Sequence, residues 1–416
     1  MVTMRKPKYA GEVRMALVAL NLWFIGQFLA ILMPAVESAG IGEWMTSASA
    51  LLLVIAGLAR CLSSWNHLPS TNQQFVIAGT VILMPMTIQG VLKGMDDPLY
   101  TALEALPWYA AVFLPALGSP RLPAPFLIVF RWHAFIGVVI TAFFLSTNWE
   151  LLSSDIVRRQ ETLEIKVIQF LLYSLYFQLF RISSETWLHR FVALAGVAQM
   201  LIIAFGSATR QAIVLLSVVA MMAGWIILRS GLGAATARAS RKFAVIAFLA
   251  GSLLAAVLYI YINLVGAVDL LNERMTTERE GTSLRDNSRL SEVSQLINQF
   301  GTVDYVFGRG IRGEFVNTAA PKQENVHIGW FRTLLKGGIP MVLFLMVGYV
   351  LLGTRRFLSA RDELVLPCAA MAVYFAIKNS TGNIILPNGH FYIVALCMGS
   401  LFAPTNSFRG PRAHRS

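Results

Sequence analysis

Stretches of about twenty apolar residues recur along this 416-residue chain, and no other feature narrows its folding options as much. A helix rises about 1.5 Å per residue, so roughly 17–25 such residues cross the hydrocarbon core of a bilayer. Runs of this kind fall near 14–36, 43–62, 74–93, 99–117, 125–147, 163–180, 188–206, 210–228, 242–266, 339–354, 363–379 and 384–403. A lipid-exposed backbone must satisfy its own polar groups, which leaves helices or a closed barrel. Runs of this length predict an all-α polytopic bundle of about twelve transmembrane helices. The charged content of 13% agrees, since a soluble domain carries about 25%. Pro34, Pro85, Pro107, Pro115 and Pro367 lie in or beside the runs and predict kinks.

The net charge of +12 is spread in short clusters between the apolar runs. That pattern fits membrane topology and argues against nucleic-acid binding. With a cytoplasmic N-terminus, one side collects Arg5, Lys6 and Lys8, then Arg60, Arg121, Arg181, Arg190, Arg229, Arg238, Arg241 and Lys242, and later Arg355, Arg356 and Arg361. The opposite side collects Glu37 and Glu43, Asp96 and Asp97 beside Lys93, and a mixed set at Glu150 to Glu161, so lysine and arginine mark one side almost throughout. The expected topology therefore has both termini in the cytoplasm. Residues 1–11 show no small-residue cleavage site, so the first run is expected to stay as an anchor. Cys61, Cys368 and Cys397 sit in or beside apolar runs and supply neither a disulfide framework nor a CxxC metal pair.

One polar stretch, 269–338, interrupts the pattern and divides the chain into spans one to nine (1–268), the stretch itself, and spans ten to twelve with a tail (339–416). On this topology it is a long, partly helical loop on the outer side, the periplasm in a cell with two membranes. Loops of such length are usually functional or disordered. This one alternates helical apolar spacing with glycine turns and reads as folded. Asn287 or Ser288 is placed to cap a helix carrying Leu290, Val293, Ile297 and Phe300, a stripe able to lie on the bundle's outer surface, with Arg289 and Glu292 pointing elsewhere. Gly308, Gly310 and Gly313 break regular structure. From Val326 to Lys336 helical spacing returns, with Trp330, Phe331, Leu334 and Leu335 on one side and Arg332 and Lys336 on another. The expectation is an amphipathic helix at the membrane surface with His327 in its first turn.

Few groups are suited to chemistry. Arg210, in FGSATRQA at the outer end of the eighth span, is either a snorkelling arginine or an anion clamp next to outward-pointing helix amides. Arg289, with Arg285 nearby, is either a solvated helix residue or, with Arg210, one half of a diphosphate bracket suited to the planar guanidinium fork. His327 is the one histidine of the outer loop and a candidate proton acceptor, because imidazole is largely neutral at physiological pH. Glu104, Lys166 and Lys378 occupy predicted outer span ends and either line the same cavity or snorkel. Asn379, Asn383, Asn388 and His390 border the last outer loop. No paired-histidine motif, carboxylate cluster or GxxxxGK[ST] sequence supports a metal or nucleotide site.

Three segments resemble the bacterial O-antigen ligase and O-antigen polymerase superfamily. SATRQA resembles its arginine turn at a span's outer end. SRLSEVSQLINQFGTVDYVFGRGIRGEF resembles its arginine-led helix followed by a glycine turn, and ENVHIGWFRTLLKGGIPMVLF its histidine-led helix entering a span. The chain departs from the family in having Ile328 after His327, with Asn325 before it, and Lys336 where an acid often precedes the glycine. The resemblance implies a metal-independent, inverting glycosyltransferase of the bacterial inner membrane whose site faces the periplasm and which needs no cofactor. The implied donor is a glycan on undecaprenyl diphosphate. The acceptor would be a sugar hydroxyl, either on another lipid-linked repeat, with a chain-length regulator as a further partner, or on lipid A core. It implies Arg210 and Arg289 on the diphosphate and His327 on the attacking hydroxyl, with Arg285, Ser207, Gln211, Arg312 and Asn325 as surrounding substrate-binding residues. The competing class is a secondary transporter or lipid-glycan flippase. Such proteins place ionisable sites near the membrane midplane, whereas the charges here cluster at predicted span ends.

Overall fold

The computed structural model describes residues 11–32, 40–119, 122–147, 186–206, 288–317, 320–323, 326–359, 365–382, 384–386 and 391–402. The first of these form α1 (Gly11–Leu32), α2 (Ile41–Ser64), α3 (Ser70–Lys93), α4 (Pro98–Phe113), α5 (Ala124–Thr147) and α6 (Trp187–Gly206). Next come α7 (Ser288–Asn298), α8 (Thr302–Phe307) and an antiparallel hairpin of β1 (Phe315–Asn317) with β2 (Ala320–Gln323). The chain ends in α9 (Gly329–Leu345), which runs through a π-helical turn into α10 (Leu352–Ser359), then α11 (Val365–Thr381) and α12 (Phe391–Leu401). Five stretches among the described residues are long and apolar enough to cross a membrane: Gly11–Leu29, Ile41–His67, Ser70–Lys93, Ala124–Thr147 and Gly329–Leu358. The chain is an all-α, multi-pass membrane protein. The runs near 163–180, 210–228 and 242–266 lie outside the described residues.

The chain divides into two compact units, one of 1–129 with 288–416 and the other of 130–287. In the second unit, Gln199 of α6 donates to the Val138 carbonyl of α5 at 2.8 Å. The first unit holds the candidate site. Its helix α3 shows how a membrane helix is read: Phe75, Gly79, Leu83, Met86 and Gly90 are buried, while Ile77, Val81, Met84, Ile88 and Leu92 are exposed. Apolar residues on both faces, at helical spacing, mean protein on one side and lipid on the other. α4 starts because Asp97 accepts from the Tyr100 amide at 3.1 Å and Pro98 has no amide to satisfy. α12 is buried along its whole length. Its Phe391 stacks on Tyr349, whose hydroxyl donates to the Ala111 carbonyl of α4 at 2.7 Å.

The polar stretch packs onto this bundle through a break in α9. Gly338 has φ 67° and ψ −170°, a conformation open essentially to glycine alone. The break frees carbonyls that a continuous helix would use, and the turn after α8 takes them: Arg309 N–H donates to Leu335 O at 2.7 Å and Gly310 N–H to Lys336 O at 3.0 Å. Gly308, also at φ 67°, lets the two backbones approach. A small apolar core then forms from Val293 and Leu296 of α7, Phe315 of β1, Val326, and Leu335 of α9, flanked by Phe300, Ile328 and Phe331. The α7 stripe thus faces the hairpin and α9 at Val293 and Leu296 and leaves Ile297 partly exposed.

Candidate active site

The expected surface helix is instead set into the protein. α9 begins at Gly329, two residues after His327, and both Arg332 and Lys336 are fully buried. A polar face can turn inward only where partners meet it. Here Arg332 pairs with the Glu104 carboxylate of α4 and donates to the Ile385 carbonyl, and Lys336 Nζ donates to Gly313 O at 3.1 Å. The helix start is held from a third direction. Gly329 N–H donates to Gly382 O at 2.8 Å, and Trp330 Nε1 donates to Ser380 Oγ at 2.9 Å. The residues just before α9 therefore leave a rigid platform.

His327 stands at the edge of that platform, its side chain 64% exposed, over a carboxylate that is almost completely buried. Glu292 Oε2 accepts from His327 Nδ1 at 3.0 Å and from the His327 amide at 3.1 Å, while Glu292 Oε1 accepts from Gln323 Nε2 at 2.6 Å. When Glu292 is a carboxylate it can only accept, an arrangement that assigns the proton to Nδ1 and the lone pair to Nε2. A carboxylate behind Nδ1 fixes the ring's tautomer and stabilises the imidazolium formed when Nε2 takes a proton, as in hydrolytic triads. Each hydrogen bond to a charged group contributes about 1.5–3 kcal/mol, enough to fix the ring's orientation.

The glycine turn is tied down by Arg309. Its guanidinium meets Asp304 at 3.0 Å, donates to Glu314 O at 2.9 Å and to Gln299 O, and lies 5.1 Å from the Phe300 ring centroid. This arginine organises the turn. Arg312 lies over the Tyr100 ring of α4, 4.6 Å from its centroid. The structure thus places His327 with Glu292 and Arg312 with Tyr100. Arg289 is described by its backbone, three residues before Glu292 on α7. Arg210, Ser207, Gln211, Arg285 and Asn325 lie outside the described residues. Among the described residues no group of three His, Cys, Asp or Glu side chains converges to hold a metal ion.

Two residues of this arrangement, Glu292 and Gln323, were not singled out as site residues by the sequence. The only local signal is Glu292's spacing from Arg289; its separation from His327 by 35 positions hides the pairing. Fold and site together define a multi-pass helical membrane protein with a carboxylate-backed histidine at the edge of an inserted polar stretch. No protein-family model matches the chain, and comparison with curated proteins finds no match.

Proposed function

We propose that the protein is a membrane glycosyltransferase that moves a glycan from undecaprenyl diphosphate to a sugar hydroxyl, either polymerising lipid-linked repeats or ligating them to lipid A core. The observation that carries this reading is the Glu292–His327 pair, which suits His327 Nε2 to take the acceptor's hydroxyl proton. The acceptor oxygen attacks the anomeric carbon as the bond to the diphosphate oxygen breaks, and that bond's electron pair leaves with the diphosphate. The anomeric centre inverts. Arg289, one helical turn from Glu292, and Arg210 neutralise the departing charge, with Arg285, Ser207, Gln211, Arg312 and Asn325 around them. The reading includes about twelve spans in the bacterial inner membrane, cytoplasmic termini, and a periplasmic site in the partly helical loop 269–338.

The test uses purified protein in liposomes with a synthetic undecaprenyl-diphosphate oligosaccharide and a sugar acceptor. Arg210→Ala, Arg289→Ala and His327→Ala should each abolish most transfer while the protein still inserts. Arg289→Lys should also be impaired, because a point charge does not replace the fork. Wild-type rates in any two of the alanine variants remove the site. Movement of the donor between leaflets without product would replace the reading with a flippase.

A further inference from the structure

α8 is a short helix with two unlike faces. Asp304 is bound by Arg309, and the Tyr305 ring packs edge-on against Phe300 at 5.2 Å, so that face is turned inward. Val303, Val306 and Phe307, at positions i, i+3 and i+4, are exposed at 66%, 45% and 45%. Three apolar residues side by side on a helix otherwise held by polar bonds need a cover.

The neighbouring surface identifies it. The α8 backbone lies directly on Gly338: a Cβ there would come within 2.8 Å of Gly308 N, Tyr305 O and the Val306 carbonyl carbon. From that point Ile339, Leu343, Val347 and Leu351 are exposed at every fourth residue of a candidate membrane span. Beside it, Ile311 N–H donates to Met86 O at 3.3 Å, and α3 presents its own exposed stripe, ending in Ile88 and Leu92. At the end of that stripe the exposed Lys93, the last residue of a candidate membrane span, donates from Nζ to Arg309 O at 2.9 Å; a lysine at a span's end is suited to reach lipid phosphates. The apolar face of α8 thus continues a lipid-facing surface upward to a basic rim, the pattern of an interfacial helix.

We infer that α8 docks into the bilayer interface, with Val303, Val306 and Phe307 in the upper acyl region and Lys93 at the headgroups. The partner is the lipid itself, and the docking sets the height of the glycine turn and, through Gly338, of α9. It follows from the membrane class of the fold and does not depend on the proposed reaction.

The test places single cysteines by Val303→Cys, Val306→Cys and Phe307→Cys, with Thr302→Cys and Leu343→Cys as polar and lipid-facing references. The native cysteines are buried, which keeps background labelling low. Each variant is labelled with an environment-sensitive fluorophore and reconstituted in phosphatidylcholine nanodiscs, with and without lipid brominated near the top of one acyl chain. Bromine quenches by contact, and an interfacial helix sits about 5–10 Å into the headgroup boundary, so the three positions should lose roughly half their emission, as at Leu343, with little loss at Thr302. Quenching no greater than at Thr302 overturns the inference. So does emission that ignores brominated lipid but shifts with protein concentration in detergent, which would assign the face to a second copy.

Discussion

Replacing Glu292 by glutamine isolates the effect of its charge, because the geometry can survive. Oriented with its oxygen at the former Oε2, the new amide still accepts from the His327 amide and from Nδ1, and Gln323 can flip to offer its own oxygen to the amide nitrogen. What is lost is the carboxylate's attraction for the imidazolium that forms when Nε2 takes a proton. At 3.0 Å that attraction is about 1.4 kcal/mol at the dielectric of water and about 5.5 kcal/mol at an effective value of 20. The ring is 64% exposed and partly screened, so a value of about 2–3 kcal/mol applies. Glu292→Gln should therefore lower kcat by roughly 30–150-fold with KM little changed. Initial rates of glycan transfer in nanodiscs, over a range of acceptor concentrations, measure both constants. Glu292→Ala should be worse, since it also removes the acceptor of the His327 amide, about 1–3 kcal/mol, and the Gln323 bond to Oε1. If Glu292→Gln turns over within about threefold of wild type while His327→Ala is inactive, the carboxylate does not tune the imidazole and the argument fails.

Two further outcomes concern the platform beneath the site. Gly338→Ala forces a side chain into a conformation reserved for glycine and against three backbone atoms, so it should destabilise by about 2–5 kcal/mol, read as a lower Tm in detergent; an unchanged Tm would show that the α8–α9 junction is not as close as described. Removing one partner of the buried Glu104–Arg332 pair, as in Glu104→Leu or Arg332→Met, should cost about 3–5 kcal/mol in denaturant titration. The double variant Glu104→Leu/Arg332→Met should recover part of that loss, and strictly additive effects would mean the two charges do not act together.

The helices were legible wherever apolar spacing decided them. Runs placed at 43–62, 74–93, 125–147 and 188–206 correspond to helices 41–64, 70–93, 124–147 and 187–206, each end within four residues. A stretch that must be both long and apolar leaves little freedom in its bounds. The helix of the polar stretch was also legible from Asn287 or Ser288 and the spacing of Leu290, Val293 and Ile297, although it ends at Asn298, before Phe300. Burial of charge was not. Arg332 and Lys336 read as the polar side of a membrane-surface helix because a local pattern shows only that they share a side. Their acceptors come from 228 and 23 positions away. Glu292 was hidden in the same way, since nothing near it in the chain marks a carboxylate destined for an imidazole.

The buried charges explain how a solvent-facing histidine can be held firmly enough for the proposed proton transfer. An exposed ring on a surface loop would sample several rotamers, and proton transfer needs its acceptor within hydrogen-bond reach of one hydroxyl. Here the restraint is passed down in stages. Glu104 and the Ile385 carbonyl fix Arg332, which fixes the first turns of α9. Leu335 and Lys336, one turn on, fix the glycine turn through their carbonyls. Leu335 also closes the small core that holds α7, and α7 carries Glu292. The carboxylate and the imidazole it holds thus rest on one connected scaffold reaching into the membrane bundle. A substitution at Glu104, far from His327 along the chain, should therefore change the histidine's reactivity as well as the protein's stability.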